Sequence, residues 1–190
     1  MVYKDLEQKS KTFSDSFCKR SPASPWAAEL IIYGKITPYQ LLRVNYKSTI
    51  TWCLETDLLR ANPNFFHQPR YDFVLVKVYD NVHLFAQLQY IFGITIEEQI
   101  YYMALILPLL DEPIPRHERS RDDTDLRLAR LRARPRKHAV FINVESIVRG
   151  ALLTRDHDSN FDEFFLITTI DQDMWWRNKS LVLPSKRAEI

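Results

Sequence analysis

The stretch YDFVLVKVYDNVHLFAQLQYIF, residues 71–92, decides the fold. Every second residue from position 74 to 78 is valine, and a second alternation runs from His83 to Phe92 after Asp80-Asn81. A period of two is typical of half-buried strands, and Asp-Asn favours a turn. The stretch therefore predicts an antiparallel hairpin. We expect one face of its second strand to carry Leu84, Ala86, Leu88, Tyr90 and Phe92.

More strand patterns lie on both sides of this hairpin. Gly93 is expected to end it, and the nearly continuous apolar run Gln99–Leu107 predicts a third strand buried on both faces. Upstream, Leu30–Ile36 and Tyr39–Tyr46 are rich in branched and aromatic residues and predict two strands, separated by Thr37-Pro38.

One segment predicts a helix. After Ser48, a suitable N-cap, apolar residues recur at helical spacing through Thr49–Leu59, and Asn62-Pro63-Asn64 would end the helix. Cys53 lies on the apolar face of this helix and is expected in the core.

The remainder of the chain predicts short strands at Phe141–Val144, Ala151–Leu153 and Glu163–Ile170, and a helical turn at Glu145–Val148. Asp171 can cap a short helix that carries Met174, Trp175 and Trp176. About eight short strands with few helices indicate a mainly β fold. We expect a small barrel-like or sandwich-like antiparallel domain with one N-terminal helix and short helical turns.

The polar segment 1–25 is expected to be a flexible arm. It precedes a single β-rich domain at 26–180, with a basic loop at 112–137 and a tail at 181–190. The 190 residues include only three glycines, Gly34, Gly93 and Gly150, which excludes glycine-rich nucleotide loops.

Charge is concentrated in one segment. Arg116–Lys137 holds nine basic and four acidic residues, a net charge of +5, whereas the whole chain carries +2 and the rest therefore −3. A local basic stretch is typical of a phosphate-binding surface and equally of a solvated loop. Pro135 and the alternation favour an extended segment, which would place the arginines at 130, 132, 134 and 136 on one face, whereas a helix would scatter them. The candidate nucleic-acid-binding residues are Arg127, Arg130, Arg132, Arg134, Arg136 and Lys137.

Acidic pairs offer weaker candidates for chemistry. Asp156-His157-Asp158 could ligate a divalent ion but also fits a solvated turn, and Asp171-x-Asp173 fits either a two-metal nuclease or a helix cap. No motif indicates a nucleophile, a catalytic residue, a cofactor or an assigned metal site.

Aromatic residues could form a recognition surface, as a cation cage or a base-stacking platform, or simply belong to the core. The candidates are Trp52, Tyr71, Trp175 and Trp176.

Cys18 and Cys53 are too few for a zinc cluster, which favours a reduced, intracellular protein. No charged-then-apolar leader follows Met1, and the longest apolar run, Ile100–Leu110, is too short to span a membrane. We expect no membrane contact.

Several short motifs, spread over about Leu41–Arg177, resemble a known domain. They are LRVNY (42–46), Trp52, DLLR (57–60), PRYD (69–72), ALILP (104–108), RARPR (132–136), VESIVRGALL (144–153) and TIDQDM (169–174). The domain is abundant in basidiomycete fungi, in transposase-like proteins of the Plavaka type within the Kyakuja–Dileera–Zisupton group. Phe66-His67-Gln68 departs from the Phe-His-Gly of that pattern, which weakens any role inherited for this loop.

The resemblance implies a β-rich accessory domain outside the transposase catalytic core, so that no catalytic triad is assigned to this chain. The order of elements is also similar to that of bromo-adjacent homology domains, which implies chromatin or protein recognition.

These observations lead to a first hypothesis, a non-enzymatic nuclear module of mobile-element origin that contacts DNA or chromatin proteins. The second is a protein-binding or structural domain without nucleic-acid contact. The third is a metal-dependent nuclease using Asp171 and Asp173, which requires a third carboxylate to converge with them.

Overall fold

The computed structural model describes residues 35–79, 82–96, 98–110, 129–157 and 162–182, with side chains up to 177. The strands are β1 (Lys35–Tyr39), β2 (Leu41–Lys47), β3 (Leu54–Phe65), β4 (Gln68–Tyr71), β5 (Phe73–Tyr79), β6 (Val82–Ile96), β7 (Gln99–Pro108), β8 (Ala129–Arg132), β9 (Val140–Asn143), β10 (Ile147–Ala151), β11 (Leu153–Arg155) and β12 (Glu163–Leu166). One α-helix, α1 (Gln172–Val182), and 3-10 turns at Arg136–His138 and Val144–Ser146 complete the described elements.

All strand pairs are antiparallel, in three sheets. The central sheet has the order β10-β5-β6-β7-β9, and β1 pairs with the second half of β6. The smaller sheets have the orders β2-β3-β4 and β11-β12-β8. The predicted hairpin is confirmed as β5 and β6, although its expected turn at Asp80-Asn81 lies outside the described residues. The described strands form no closed barrel.

The strand β6 is longer and less regular than predicted. It continues through Gly93 to Ile96, because the backbone there pairs with β1 on one side and β7 on the other. A Cβ on Gly93 would lie 3.2 Å from Ile100 Cγ2, so glycine fits this close approach. A register shift between Leu88 and Tyr90 exchanges the two faces, so Ile91 instead of Tyr90 is buried.

The predicted helix at Thr49–Leu59 is wrong, because residues 49–53 form a turn and β3 follows. The Ser48 hydroxyl accepts hydrogen bonds from the amides of Ile50 and Thr51, as a cap would. β-Branched residues at 49–51 disfavour a helix, and pairing of β3 with β2 over seven residue pairs stabilises the extended form instead. Cys53 is therefore exposed in the turn and does not belong to the core.

The central sheet is covered on both faces. Val74 and Val76 of β5 pack with Leu42 and Leu59 of the β2-β3-β4 sheet, whereas Leu75 points to the opposite side. There it packs with residues of β8, β11, β12 and α1: Leu131, Leu153, Phe164, Leu166 and Met174. This double burial accounts for the continuous apolar sequence of the first half of β5, Phe73–Val76, and of the second half of β7.

The C-terminal predictions hold in part. β12 ends at Leu166, four residues earlier than predicted. Asp171 caps α1 as predicted, since its Oδ1 accepts a hydrogen bond from the Met174 amide at 2.9 Å. The mainly β class is thus confirmed. The arm at 1–25, most of the 112–137 loop and nearly all of the 181–190 tail lie outside the described residues.

Candidate nucleic-acid interface

Four of the predicted arginines divide into two environments. Arg130 and Arg132 occupy alternate positions of β8, whose other two residues are buried, as the two-residue spacing predicted. Arg134 follows the strand, and Arg136 with Lys137 belongs to the 3-10 turn at 136–138. Arg127 lies outside the described residues.

The two arginines of β8 are paired with acids. Arg132 bonds to the Glu163 carboxylate at 2.6 Å, and Arg130 bonds to the same carboxylate at 2.8 Å and to Asp156. The side chain of Glu163 is only 5% exposed, and Arg130 also lies over the ring of Phe165 at 4.5 Å. These contacts neutralise much of the charge of Arg130 and Arg132. They also hold β8 against β12.

The cations after β8 face solvent. Arg134, Arg136, Lys137 and His138 are all exposed, in the sequence RPRKH. Within the described chain, Arg134, Arg136 and Lys137 form no ion pair. A short exposed segment therefore carries three charges that no described residue compensates, and we call residues 134–138 the basic segment.

Arg149, a buried arginine that the sequence patterns did not single out, contacts side chains from several elements. Arg149 of β10 is 5% exposed and donates hydrogen bonds at 2.7 Å to Asp171 and to Asp173. Its guanidinium lies 4.3 Å from the ring centre of Tyr46, and its Nε lies 3.6 Å from Asp57. The sequence signal that could have identified Arg149 is its position as the lone arginine in the otherwise apolar stretch 147–153.

The electrostatics of this cluster follow from burial and hydrogen bonding. Burial alone would raise the pKa of Asp173, but hydrogen bonds from Arg177, Thr49 and Arg149 hold that pKa well below its usual range. Burial raises the pKa of Asp57, although the Gly150 amide donates to its carboxylate at 2.8 Å. Burial likewise raises the pKa of Tyr46, which donates to Glu55 as a neutral phenol.

The acidic pairs considered as metal ligands have other partners here. Asp171 caps α1, and a guanidinium lies between its carboxylate and those of Asp57 and Asp173. Asp156 bonds to Arg130, and Asp158 lies outside the described residues. In the described part of the chain, no group of three or more metal-ligating side chains is found.

The candidate aromatic residues are not assembled into one cage. Trp175 and the half-exposed Trp176 contact each other edge to face at 5.2 Å on α1. Tyr71 of β4 packs partly against the core, and no ring contact joins it to either tryptophan. Trp52 is 72% exposed in the turn between β2 and β3, with Lys47 Nζ 5.2 Å from its ring centre.

Two further observations concern membrane spans and similarity to known proteins. No helix among the described residues has both the length and the apolar character needed to cross a bilayer. Comparison of the chain with models of known protein families, with curated proteins and with solved structures found no match.

Proposed function

We propose that the protein is a non-enzymatic, nuclear module of mobile-element origin that contacts DNA or chromatin, with the basic segment as its electrostatic contact. The observation that carries this proposal is the exposure of Arg134, Arg136 and Lys137 without ion pairs in the described chain. Exposed, unpaired cations close together are the groups that displace counterions from a nucleic-acid backbone. The mobile-element origin depends on the sequence resemblance alone.

The same reasoning separates contact residues from structural ones. Arg130 and Arg132 already bond to Glu163 and Asp156, so their release to a phosphate would leave a buried carboxylate without its partners. We therefore assign the electrostatic contact to residues 134–137 and a structural role to the arginines of β8.

Binding to random duplex DNA at low salt, followed by fluorescence anisotropy, tests the proposal. Arg136→Gln/Lys137→Gln removes two of the proposed phosphate contacts and should weaken binding at least about tenfold. Each phosphate contact contributes about 0.9 to the slope of log K against log salt. The matched control is Lys77→Gln/Arg155→Gln, which removes the same charge from two other exposed positions. No duplex binding by the wild type, or equal losses in both variants, would overturn the proposal.

The alternative, a protein-binding domain without nucleic-acid contact, is favoured by one observation. Strand β9 pairs only with β7 among the described strands, and it exposes 44% of Val140 and 49% of Phe141. An edge strand with exposed apolar side chains can pair with a strand from another protein. Concentration-dependent self-association that Phe141→Lys abolishes, without any duplex binding, would favour this alternative.

A further inference from the structure

The outward face of the β2-β3-β4 sheet has an unusual composition. Alternate residues of β2 are buried, and the register with β3 places Arg43 opposite Leu58 and Lys47 opposite Leu54 on the exposed side. In β4, Arg70 pairs with Asn62 on this same face. We call this surface the outer sheet face; its positions on the three strands are Leu41, Arg43, Asn45, Lys47, Leu54, Thr56, Leu58, Arg60, Asn62, Gln68 and Arg70.

The outer sheet face carries four cations and no acidic residue. The two acids of β3, Glu55 and Asp57, occupy the inward positions, where they accept hydrogen bonds from Tyr46 and Gly150. Of the cations, Arg70 pairs with the half-buried Asp72 at 3.0 Å, while Arg43, Lys47 and Arg60 form no ion pair with a described residue. The face is therefore complementary to a polyanion.

Aromatic side chains stand at both ends of β3. Phe66 is 83% exposed at the tip between β3 and β4, and Trp52 is 72% exposed in the turn before β3. Both have positive φ, +47° and +59°, which costs free energy in residues other than glycine. Two strained turns thus hold aromatic rings in solvent, at the two ends of a strand that is at most about 36 Å long.

The exposed rings are accompanied by stacked guanidinium groups. Arg60 and Arg70 lie over the ring of Phe65, at 5.5 and 5.0 Å from its centre, and Phe65 contacts Phe66 edge to face at 4.6 Å. Residues 60–71 contain two arginines, a histidine and no acid. The tip therefore combines a ring face that a base can stack on with cations placed beside it.

We infer that the outer sheet face binds single-stranded nucleic acid. Unpaired bases stack on Phe66 and Trp52, and phosphates contact Arg43, Lys47 and Arg60 between them. Alternating cations on a sheet with aromatic residues at its ends match the way small β-domains bind single strands, with a site of about 4–16 nucleotides. This site shares no residue with the basic segment, so either site can fail without the other.

The test measures anisotropy of a labelled oligothymidine of about 12 nucleotides, within the range that one small β-domain covers. Phe66→Ala should weaken binding between about fivefold and about 150-fold through loss of stacking. Arg43→Gln/Lys47→Gln should reduce the slope of log K against log salt by about 1.4, since single strands give about 0.7 per contact. All of these side chains are exposed, and circular dichroism checks that each variant folds.

Matched controls make the result specific. Tyr79→Ala removes another aromatic ring that is 72% exposed, and Lys77→Gln/Arg155→Gln removes two exposed charges elsewhere; neither should change the affinity. Arg136→Gln/Lys137→Gln should lower duplex affinity more than single-strand affinity, which separates this inference from the proposed function.

Three results would overturn the inference. The first is absence of oligothymidine binding by the wild type at low salt. The second is equal affinities of Phe66→Ala and Tyr79→Ala for the oligothymidine. The third is a duplex that binds as tightly as the single strand and loses the same affinity on Phe66→Ala.

Discussion

Arg149 shows how one residue connects several elements. It lies on β10, its carboxylate partners precede and begin α1, and the ring of Tyr46 on β2 covers its guanidinium. Arg177 of α1 also bonds to Asp173 at 2.6 Å and donates to the Lys47 carbonyl at 2.8 Å. The cluster therefore holds α1 against β10 and the β2-β3-β4 sheet with charge-assisted hydrogen bonds. The apolar contacts of Met174 hold the same helix in the second core cluster, with β8, β11 and β12.

Replacement of Arg149 should destabilise the protein strongly. Arg149→Met leaves the Asp173 carboxylate, 7% exposed, without one of its cations, and we expect a loss of about 3 kcal/mol in the free energy of unfolding. Urea denaturation measures it. Arg155→Met is the control, because its pair with Asp162 is exposed and should contribute less than about 1 kcal/mol. Equal losses in the two variants would contradict the role assigned to Arg149.

The low pKa of Asp173 predicts acid sensitivity. In the unfolded chain an aspartate binds its proton near pH 4, whereas the folded carboxylate resists protonation, so stability is present above about pH 4 and falls as the pH decreases further. Asp57, with a raised pKa, contributes in the opposite direction. Urea denaturation between about pH 2 and pH 6 should show a smaller loss with acid for Asp173→Asn than for the wild type. Parallel curves would disprove the contribution of Asp173.

At the scale of elements, periodicity predicts strands only where the buried face is the apolar one. This condition holds in the β5-β6 hairpin, which the valine alternation identified. In β3 it is reversed, since Leu54 and Leu58 are 73% and 49% exposed while Glu55 and Asp57 point inward. The apolar residues of 49–59 therefore matched a helix. Glu55 accepts a hydrogen bond from Tyr46, nine residues away on β2, and Asp57 accepts one from Gly150, 93 residues away on β10. Local sequence does not reveal these partners.

The candidate site, like the fold, could be predicted from the sequence only in part. Two-residue spacing placed Arg130 and Arg132 on one face of β8, but their pairing with Glu163 depends on a strand 31 residues away in sequence. The exposure of Arg134, Arg136 and Lys137 follows from the end of β8 before Pro135. The outer sheet face could not be predicted once β3 was assigned as a helix, because its cations align only through the register with β2.

Contact between β10 and β3 depends on a glycine. A Cβ on Gly150 would lie 2.8 Å from Leu59 Cδ2, and the Gly150 amide donates to Asp57. Gly150→Ala should therefore cost about 1–3 kcal/mol of stability through overpacking. Leu59→Val shortens the opposing side chain, so calorimetry of the double variant should show less than the sum of the two single losses. Strict additivity would show that the two positions do not clash.

At the scale of the whole molecule, the small net charge of +2 conceals a separation of structural from exposed charges. The paired groups, such as Arg130 with Glu163 and Arg149 with Asp171 and Asp173, lie between elements and stabilise the fold. Among the described residues, exposed cations without a described ion-pair partner lie in the basic segment, at Arg134, Arg136 and Lys137, and on the outer sheet face, at Arg43 and Lys47. These two surfaces are the places where the proposed polyanion contact would find concentrated positive charge, although the chain as a whole is nearly neutral.

The salt dependence of duplex binding tests the role of the basic segment most directly. Log K for random duplex DNA is measured against log salt for the wild type, for Arg136→Gln/Lys137→Gln and for Lys77→Gln/Arg155→Gln. If the basic segment contacts phosphates, the first variant lowers the magnitude of the slope by about 2 and the second leaves it unchanged. Equal slopes for all three proteins would contradict the proposed nucleic-acid contact.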